Sequence, residues 1–352
     1  MKLNVNAISM FSGGGIGETY LNDLGINIVV ANEVMEKRAK FYSDFHQKTE
    51  MICGDIRNED ILKKIIEIGK KSNSKLLIAT PPCQGMSTLG KKDYVEDERN
   101  YLVFYLLKVI DEIDLDYILI ENVPKFLNLF FPYKKELCKI EDILKDKYSE
   151  KYIIETFVLN AMNYGIPQSR PRAIIKLYKK DLKWINPKEK KIISLKEAIG
   201  HLPSLESGES SHIKYHKALK HSEMHINVMK HTPEGKSAIS NEIYYPKKKN
   251  GERIKGFHNT YKRMKWYEPC PTRALNNGAV SGHNNVHPGR PNSDGTWSDA
   301  RVLTLYELLI VSSLPMNWEI PDWATESFVR QVIGEGVPPL LIKEILKGIE
   351  KR

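Results

Sequence analysis

Residues 3–17 read Leu3-Asn4-Val5-Asn6-Ala7-Ile8-Ser9-Met10-Phe11-Ser12-Gly13-Gly14-Gly15-Ile16-Gly17, and they decide the fold. Leu3, Val5 and Ala7 alternate with polar residues, which predicts a strand over Leu3–Phe11. A glycine turn follows, then a helical pattern over Glu18–Asp23 that stops at Gly25, a residue suited to a helix C-terminal cap. Strand, glycine turn and helix form the opening step of an α/β sheet. Working outward, the same alternation continues. Further strands are predicted at Ile26–Asn32, Leu76–Thr80, Tyr117–Glu121, Ile153–Leu159 and Arg172–Tyr178. Helices are predicted at Glu36–Phe45, Glu59–Lys70, Asn100–Glu112 and Tyr133–Lys147. This order implies a doubly wound, Rossmann-like parallel sheet.

Past about residue 180 the pattern dissolves into a segment rich in Lys, His, Asn, Gly and Pro. Helical patterns return at Thr304–Leu314 and Pro338–Ile349. The expected organisation is a larger α/β domain over 1–180 and 328–352, with a smaller irregular domain and hinge over 181–327. The chain of 352 residues, 41% of them hydrophobic, can bury a core. No apolar run reaches the roughly 20 residues of a membrane span, and the N-terminus does not read as a signal peptide. Those features point to the cytoplasm and to no membrane partner. Four dispersed cysteines, Cys53, Cys83, Cys138 and Cys270, argue against a disulfide framework or a zinc site, and no metal is expected. Cys53, Cys138 and Cys270 are expected to be small buried hydrophobes. Net charge is +9. The excess concentrates in Lys247, Lys248, Lys249, Arg253, Lys255, Lys262, Arg263 and Lys265, against Glu252 alone. Such a stretch suits a polyanion surface, and a solvated loop suits it equally.

In an open α/β sheet, ligands bind at the carboxyl ends of the strands. The turn Phe11–Gly17 lets backbone approach a ligand closely. Glu33 ends the second strand, where an acidic residue takes ribose hydroxyls, and Asp55 follows in a position suited to an adenine amino group. A nucleoside cofactor is therefore expected. Counting from Gly13, the dinucleotide fingerprint needs glycine where this chain has Glu18, and a carboxylate there would repel a pyrophosphate. S-adenosylmethionine carries no phosphate and escapes that objection. The third strand ends in Pro81-Pro82-Cys83-Gln84-Gly85-Met86-Ser87, a thiol in an unusual place for a core cysteine. The fourth ends in Glu121-Asn122-Val123, where the carboxylate is either functional or satisfied by nearby backbone. Gln168, Arg170 and Arg172 recur with period two and would share one face of a strand, or line a solvated edge.

Taken in order, Pro-Pro-Cys-Gln, Glu-Asn-Val and Gln-x-Arg-x-Arg resemble the DNA cytosine-5 methyltransferase family, outside the segment between Arg172 and Arg301. Phe-Ser-Gly-x-Gly is similar to that family's cofactor loop, and Arg99-Asn100-x-Leu102 to another of its blocks. Arg301-x-Leu303-Thr304-x-x-Glu307 and Gln331-x-x-Gly334-x-x-Val337-Pro338-Pro339 are similar to its last two. The resemblance implies S-adenosyl-L-methionine held by Phe11, Ser12, Gly13, Gly15, Ile16, Glu33, Val34, Asp55, Ile56, Pro82, Leu102, Glu335 and Val337. Two positions depart from the pattern: Glu335 replaces the usual asparagine, and Ile16 a common glycine.

The implied reaction is methylation of carbon 5 of a flipped-out cytosine in duplex DNA. Cys83 would attack carbon 6. Glu121, expected to be a protonated carboxyl at an apolar strand end, would pair with ring nitrogen 3. Arg172 would contact the base, with Arg170 in support. The loop Gly85–Asn100 would cover the target. Gln84, Ser87, Gln168, Lys247, Lys248, Lys249 and Arg253 are the expected DNA contacts. A restriction-modification role is expected, with a cognate endonuclease or second methyltransferase as partner. The competing readings are a tRNA-methylating enzyme of the same family and a non-catalytic DNA-binding subunit. His212/His216 and His221/His225 are read as polar helix faces, His287-Pro288 as a loop. Tyr261, Trp266 and Tyr267 could touch DNA or pack the small domain.

Overall fold

The computed structural model describes residues 2–82 and 101–350. It divides into two compact units: Met1–Asn160, Pro171–Lys188 and Leu341–Arg352 form the first, Ala161–Arg170 and Glu189–Leu340 the second.

The first unit is built on a seven-stranded sheet. Its strands are β1 (Val5–Met10), β2 (Ile26–Glu33), β3 (Glu50–Cys53), β4 (Leu76–Ala79), β5 (Tyr117–Asn122), β8 (Tyr152–Asn160) and β10 (Pro171–Lys179), with a separate hairpin β6 (Phe130–Tyr133) and β7 (Glu136–Lys139). The sheet order is β3-β2-β1-β4-β5-β10-β8. β1 to β5 pair in parallel, whereas β10 runs antiparallel to both β5 and β8. The order reverses between β1 and β4, and that reversal opens a crevice at their carboxyl ends. Helices α1 (Glu36–Phe45), α2 (Glu59–Lys71), α3 (Val103–Glu112) and α4 (Ile140–Tyr148) complete the layers. Ile8, Met10, Leu77, Leu106, Val109, Ile118, Ile120, Ile143 and Leu144 belong to one buried cluster. Each central strand is apolar on both faces, as a sheet covered on both sides requires. Asn58 caps α2 by accepting from the Asp60 amide at 2.8 Å.

The doubly wound expectation holds, and the elements differ in places. Glu18–Asp23 is not a helix but two 3-10 turns, Ile16–Glu18 and Leu21–Leu24. Gly15 is left-handed and the Glu18 side chain is drawn inside, so the turn cannot propagate. Tyr133–Lys147 holds the β6–β7 hairpin before α4, because Lys134 and Lys135 take positive φ and reverse the chain. β3, four residues long and half exposed, was not expected. The compact division also differs from boundaries at 180/181 and 327/328. Residues up to 188 stay with the sheet because the buried Lys176 ammonium donates to Trp184 O (3.0 Å) and Asn186 Oδ1 (2.6 Å).

The second unit holds α5 (Leu195–Ile199), α6 (Glu223–Lys230), α7 (Leu305–Val311) and α8 (Glu326–Glu335), and strands β9 (Gln168–Ser169) and β11 (Cys270–Pro271). α9 (Pro339–Leu346) spans the boundary between the units. A small apolar cluster of Val228, Met229, Tyr261, Val286 and Val302 is not its only core. Irregular backbone leaves carbonyls without ladder partners. Buried guanidiniums supply the donors. Arg263 donates to the carbonyls of Thr232, His287, Asp299, Met229 and Ser298 at 2.8–3.2 Å. Arg301 bridges both Glu307 oxygens (2.7 and 3.0 Å) and Asp299 Oδ1 (2.8 Å). Thr304 and Glu307 form a reciprocal capping box on α7.

Candidate active site

The loop after β1 is shaped from below. Phe11, Gly13 and Gly15 take φ of 60°, 56° and 76°. Only glycine fits at position 15, where an added Cβ would lie 2.5 Å from His46 Nε2 and 2.9 Å from the Tyr42 ring. The Gly13 amide donates to Glu33 Oε2 (2.9 Å), and the Met35 amide to Glu33 Oε1 (2.8 Å). Thr80 Oγ1 donates to Phe11 O at 2.9 Å, joining the ends of β1 and β4. Asn32 Nδ2 donates to Ile52 O (3.0 Å) and Gly54 O (2.9 Å), which holds the chain leading to Asp55.

These residues fit a phosphate-free nucleoside. Each Glu33 oxygen is fixed by one amide and keeps lone-pair capacity for a hydroxyl. Among the described residues, a Cβ at Gly13 would meet nothing within 4 Å. Val34 is 58% exposed and Ile56 is buried. The Asp55 carboxylate is turned onto Arg57, whose Nη2 lies 2.7 Å away. That side-chain hydrogen bond holds its carboxyl below the ordinary carboxylate range. Glu18, expected beside the ligand, instead turns its buried carboxyl to the Ser9 and Tyr42 hydroxyls.

At the end of β5, Glu121 Oε1 lies 2.7 Å from Arg172 Nε, and both side chains are nearly buried, at 7% and 11% exposure. β10 pairs Ile174 with Glu121, so Arg172, two residues before Ile174, shares that face and reaches diagonally. The sequence reading placed Glu121 in an apolar setting; the structure puts a guanidinium against it. Next to it, Asn122 Nδ2 donates to Pro81 O at 3.1 Å, and its Oδ1 accepts from the Val123 amide. Asn122 thereby ties the Pro81–Pro82 turn to β5, a role its place in Glu-Asn-Val did not reveal. Cys83, Gln84, Ser87 and the loop Gly85–Asn100 lie outside the described residues. Leu102 precedes α3 and packs on the core.

Gln168, Arg170 and Arg172 do not share one strand. β9 ends at Ser169 and β10 begins at Pro171, and the first two residues fall in the second unit, Arg172 in the first. Pro171 opens β10, paired with Asn160, and Arg170 belongs to neither strand. Arg170 donates to the carbonyls of Arg273 (2.7 Å), Gly334 (2.9 Å) and Glu335 (3.1 Å). Gln168 Nε2 donates to Val311 O at 3.1 Å. Both act inside the second unit as backbone ties. Gly334 is required there, since a Cβ would lie 2.3 Å from Ala274 O. Val337 is buried.

The lysine run forms a turn: Lys247 bridges Arg253, the Ile254 amide donates to Pro246 O (2.8 Å), and the Lys248 amide to Glu252 O (2.8 Å). Lys247, Lys248 and Lys249 are exposed. Lys248 pairs with Glu252 at 2.9 Å. Arg253 stacks 4.4 Å over Tyr245 and donates to Ile239 O and Asn241 O. Arg263, counted with this surface from sequence, is wholly interior.

Other expectations change too. Cys53 is exposed and Cys138 half-buried, whereas Cys270 is buried. His216 is buried between Thr304 Oγ1 and Pro203 O, and α6 begins only at Glu223, so neither histidine pair is a polar helix face. His287 is interior, accepting the Gly289 amide at Nδ1 (3.1 Å). Tyr261 and Trp266 pack inside; Tyr267 is 82% exposed.

A sheet of this order with a carboxylate–guanidinium pair at the end of β5 describes a class of methyl-transferring enzymes, and comparison with known proteins agrees. The family model of C-5 cytosine-specific DNA methylases matches residues 5–351. The chain is 47% identical to the Type II methyltransferase M1.HgaI of Avibacterium volantium, covering 99% of each. It is 27% identical to the Type II methyltransferase M.DdeI of Desulfomicrobium norvegicum, over 98% of this chain and 88% of that one. Among solved structures, a DNA modification methyltransferase encoded within an E. coli prophage aligns over 98% of both chains with TM-score 0.68 and 19% identity, a likeness of fold. The chain belongs to the C-5 cytosine-specific DNA methylase family. It is a DNA methyltransferase that uses S-adenosylmethionine as methyl donor.

Proposed function

We propose that Cys83, Glu121 and Arg172 carry the chemistry, on the strength of one observation: Glu121 and Arg172 face each other at the end of β5, beside the Pro81–Pro82 turn that Asn122 holds. Cys83 follows Pro82 in the sequence. Its thiolate adds to carbon 6 of the flipped cytosine, and the electron pair moves toward nitrogen 3, which takes a proton from Glu121 engaging the base as the carboxylic acid. S-adenosylmethionine bound at the loop after β1 would supply an electrophilic methyl group to carbon 5 and leave as S-adenosylhomocysteine. Loss of the carbon-5 proton to a base, return of the nitrogen-3 proton to Glu121 and expulsion of the Cys83 thiolate then restore the aromatic ring. Arg172 orients Glu121 and is placed to meet the base once that carboxyl engages it.

Glu33 and the backbone from Phe11 to Gly15 hold the nucleoside, with Val34, Asp55, Ile56, Pro82, Leu102, Glu335 and Val337 completing the set. The first unit performs catalysis. The second reads duplex DNA, with Lys247, Lys248 and Lys249 on phosphates. Arg253 serves the shape of that turn. Relatives named Type II methyltransferases support a restriction-modification role with a cognate endonuclease, in the cytoplasm. Among the described residues, no helix is long and apolar enough to cross a membrane.

DNA carrying 5-fluorocytosine tests the covalent step, because fluorine cannot leave as a proton does. Wild type should form a stable adduct and Cys83→Ser none; an adduct in the variant refutes the assignment. Glu121→Gln should slow single-turnover methylation by about 100-fold or more; an unchanged rate removes Glu121 from catalysis. Bisulfite sequencing of DNA from expressing cells would identify the methylated site. Failure of such DNA to resist any endonuclease encoded beside the gene would refute the partnership.

A further inference from the structure

One buried acid is used by none of these steps. Glu18 lies just past the cofactor loop, and its carboxyl accepts hydrogen bonds from Ser9 of β1 and Tyr42 of α1. Ser9 Oγ also lies 2.9 Å from Ser12 Oγ, inside the loop. From the same helix side, His46 Nε2 meets the Gly15 carbonyl at 3.1 Å, and its ring lies 4.4 Å from that of Tyr42. The two rings occupy the space where a Gly15 side chain would stand. Ser12 and Gly15 are thus each tied downward to one continuous set of side chains: Ser9, Glu18, Tyr42 and His46. Burial raises the Glu18 carboxyl above its ordinary range, so holding it there costs free energy. An apolar side chain would fill the space without that cost, yet it could not accept from two hydroxyls at once.

We propose that Glu18 is a positioning residue that, with Tyr42 and His46, sets the shape of the Ser12–Gly15 loop in advance of S-adenosylmethionine binding. This rests on the reading of that loop as the cofactor site. A preshaped loop loses less conformational freedom when the ligand binds. Loss of the network should therefore weaken cofactor affinity and leave methyl transfer at saturation intact, because no member touches the base.

The test uses the full chain and S-adenosylhomocysteine as calorimetric probe, beside S-adenosylmethionine steady-state kinetics. Glu18→Gln replaces an acceptor by a donor, and Tyr42→Phe removes one hydroxyl while leaving Glu18 in place. Each should raise Kd for S-adenosylhomocysteine, and KM for S-adenosylmethionine, by about 10-fold, the size of a net hydrogen bond or two. kcat should stay within about 2-fold and DNA affinity should not change. The double variant should lose less than the product of the single effects, since both act through one network. A role confined to stability would lower Tm and the active fraction but leave Kd of the folded protein at its wild-type value, and that result overturns the proposal. A fall in kcat at constant KM overturns it too. If Glu18→Gln does not fold, Tyr42→Phe carries the measurement alone. Absence of binding by wild type would instead refute the cofactor reading of the loop.

Discussion

Replacing Arg301 with methionine should unfold the second unit long before it changes any contact with DNA. The guanidinium is wholly buried and makes five hydrogen bonds, to Leu205 O, Val302 O, Asp299 Oδ1 and both oxygens of Glu307. Its loss is not shared equally by the two carboxylates. Asp299 keeps Arg290 Nη1 at 3.1 Å, the hydroxyls of Ser204 and Ser298, and the Leu205 amide. Among the described residues, Glu307 keeps only the Thr304 amide as a donor to its carboxylate, with His287 Nε2 at 3.6 Å. Burial, the largest influence, would raise the Glu307 carboxyl; Arg301, His287 and the Thr304 amide together outweigh it and lower the carboxyl to about 2. Removing one partner of a buried pair costs about 3–5 kcal/mol. At roughly 2–4 °C per kcal/mol for a unit of this size, Tm should fall by roughly 6–20 °C. Glu307→Met should cost less, because the Arg301 guanidinium keeps Asp299 Oδ1 at 2.8 Å. The double variant should recover much of the loss, because apolar groups that replace a whole buried pair are close to neutral. Urea melts followed by tryptophan fluorescence would measure all three. An Arg301→Met protein with wild-type stability but a changed methylation site would refute the reasoning and make Arg301 a DNA contact.

Acid should weaken the same unit earlier than its carboxylates suggest. His287 accepts the Gly289 amide at Nδ1, so the ring is neutral; burial first, and then Arg301, push it down to about 3. His221 is pushed down to about 4, chiefly by burial. Below about pH 6.5 the unfolded chain takes up protons that these rings refuse, so stability falls with falling pH by up to about 1.4 kcal/mol per unit for His287 and less for the partly exposed His221. The depressed Glu307 acts in a lower window: its contribution is complete above its unfolded value near 4.3 and is lost only as pH falls toward 2. A Tm that stays flat from about pH 7.5 to 5 would show that the rings are not held neutral. Gly334→Ala should cost several kcal/mol, as its methyl would press on Ala274 O at 2.3 Å; a wild-type melting curve would contradict that packing. Exchanging Lys247, Lys248 and Lys249 for alanine should make the slope of log affinity against log salt shallower by about 0.9 per lost phosphate contact, roughly 2.7 at most. An altered methylation site with an unchanged slope would make these lysines base readers.

What the sequence shows and what it hides follow from the range over which each interaction acts. β1, β4 and β5 are legible because a strand buried on both faces must be apolar along its length, and the turns after them carry residues no core wants. Glu121 and Arg172 could be named from the strand segments that hold them, yet their pairing could not. It depends on β10 running antiparallel to β5 and on a register that puts Ile174 opposite Glu121. Period two across Gln168, Arg170 and Arg172 suggested one shared face, and the gap between β9 and β10 at Arg170 broke it. In the second unit the failure is of a different kind. Local pattern assumes that cations face water, and in a regular domain that assumption is sound, since helices and ladders satisfy their own carbonyls. An irregular chain reverses the argument: its carbonyls need donors, and a guanidinium brings five to one point. Arg263, read among surface lysines, and Arg170, read as support for Arg172 at the base, both direct those donors to backbone. The block Arg301-x-Leu303-Thr304-x-x-Glu307 has the same physical basis. Its residues cap α7 and neutralise each other in the interior, so what reads as a signature of function is in this chain the condition for a second unit with little regular structure to fold at all.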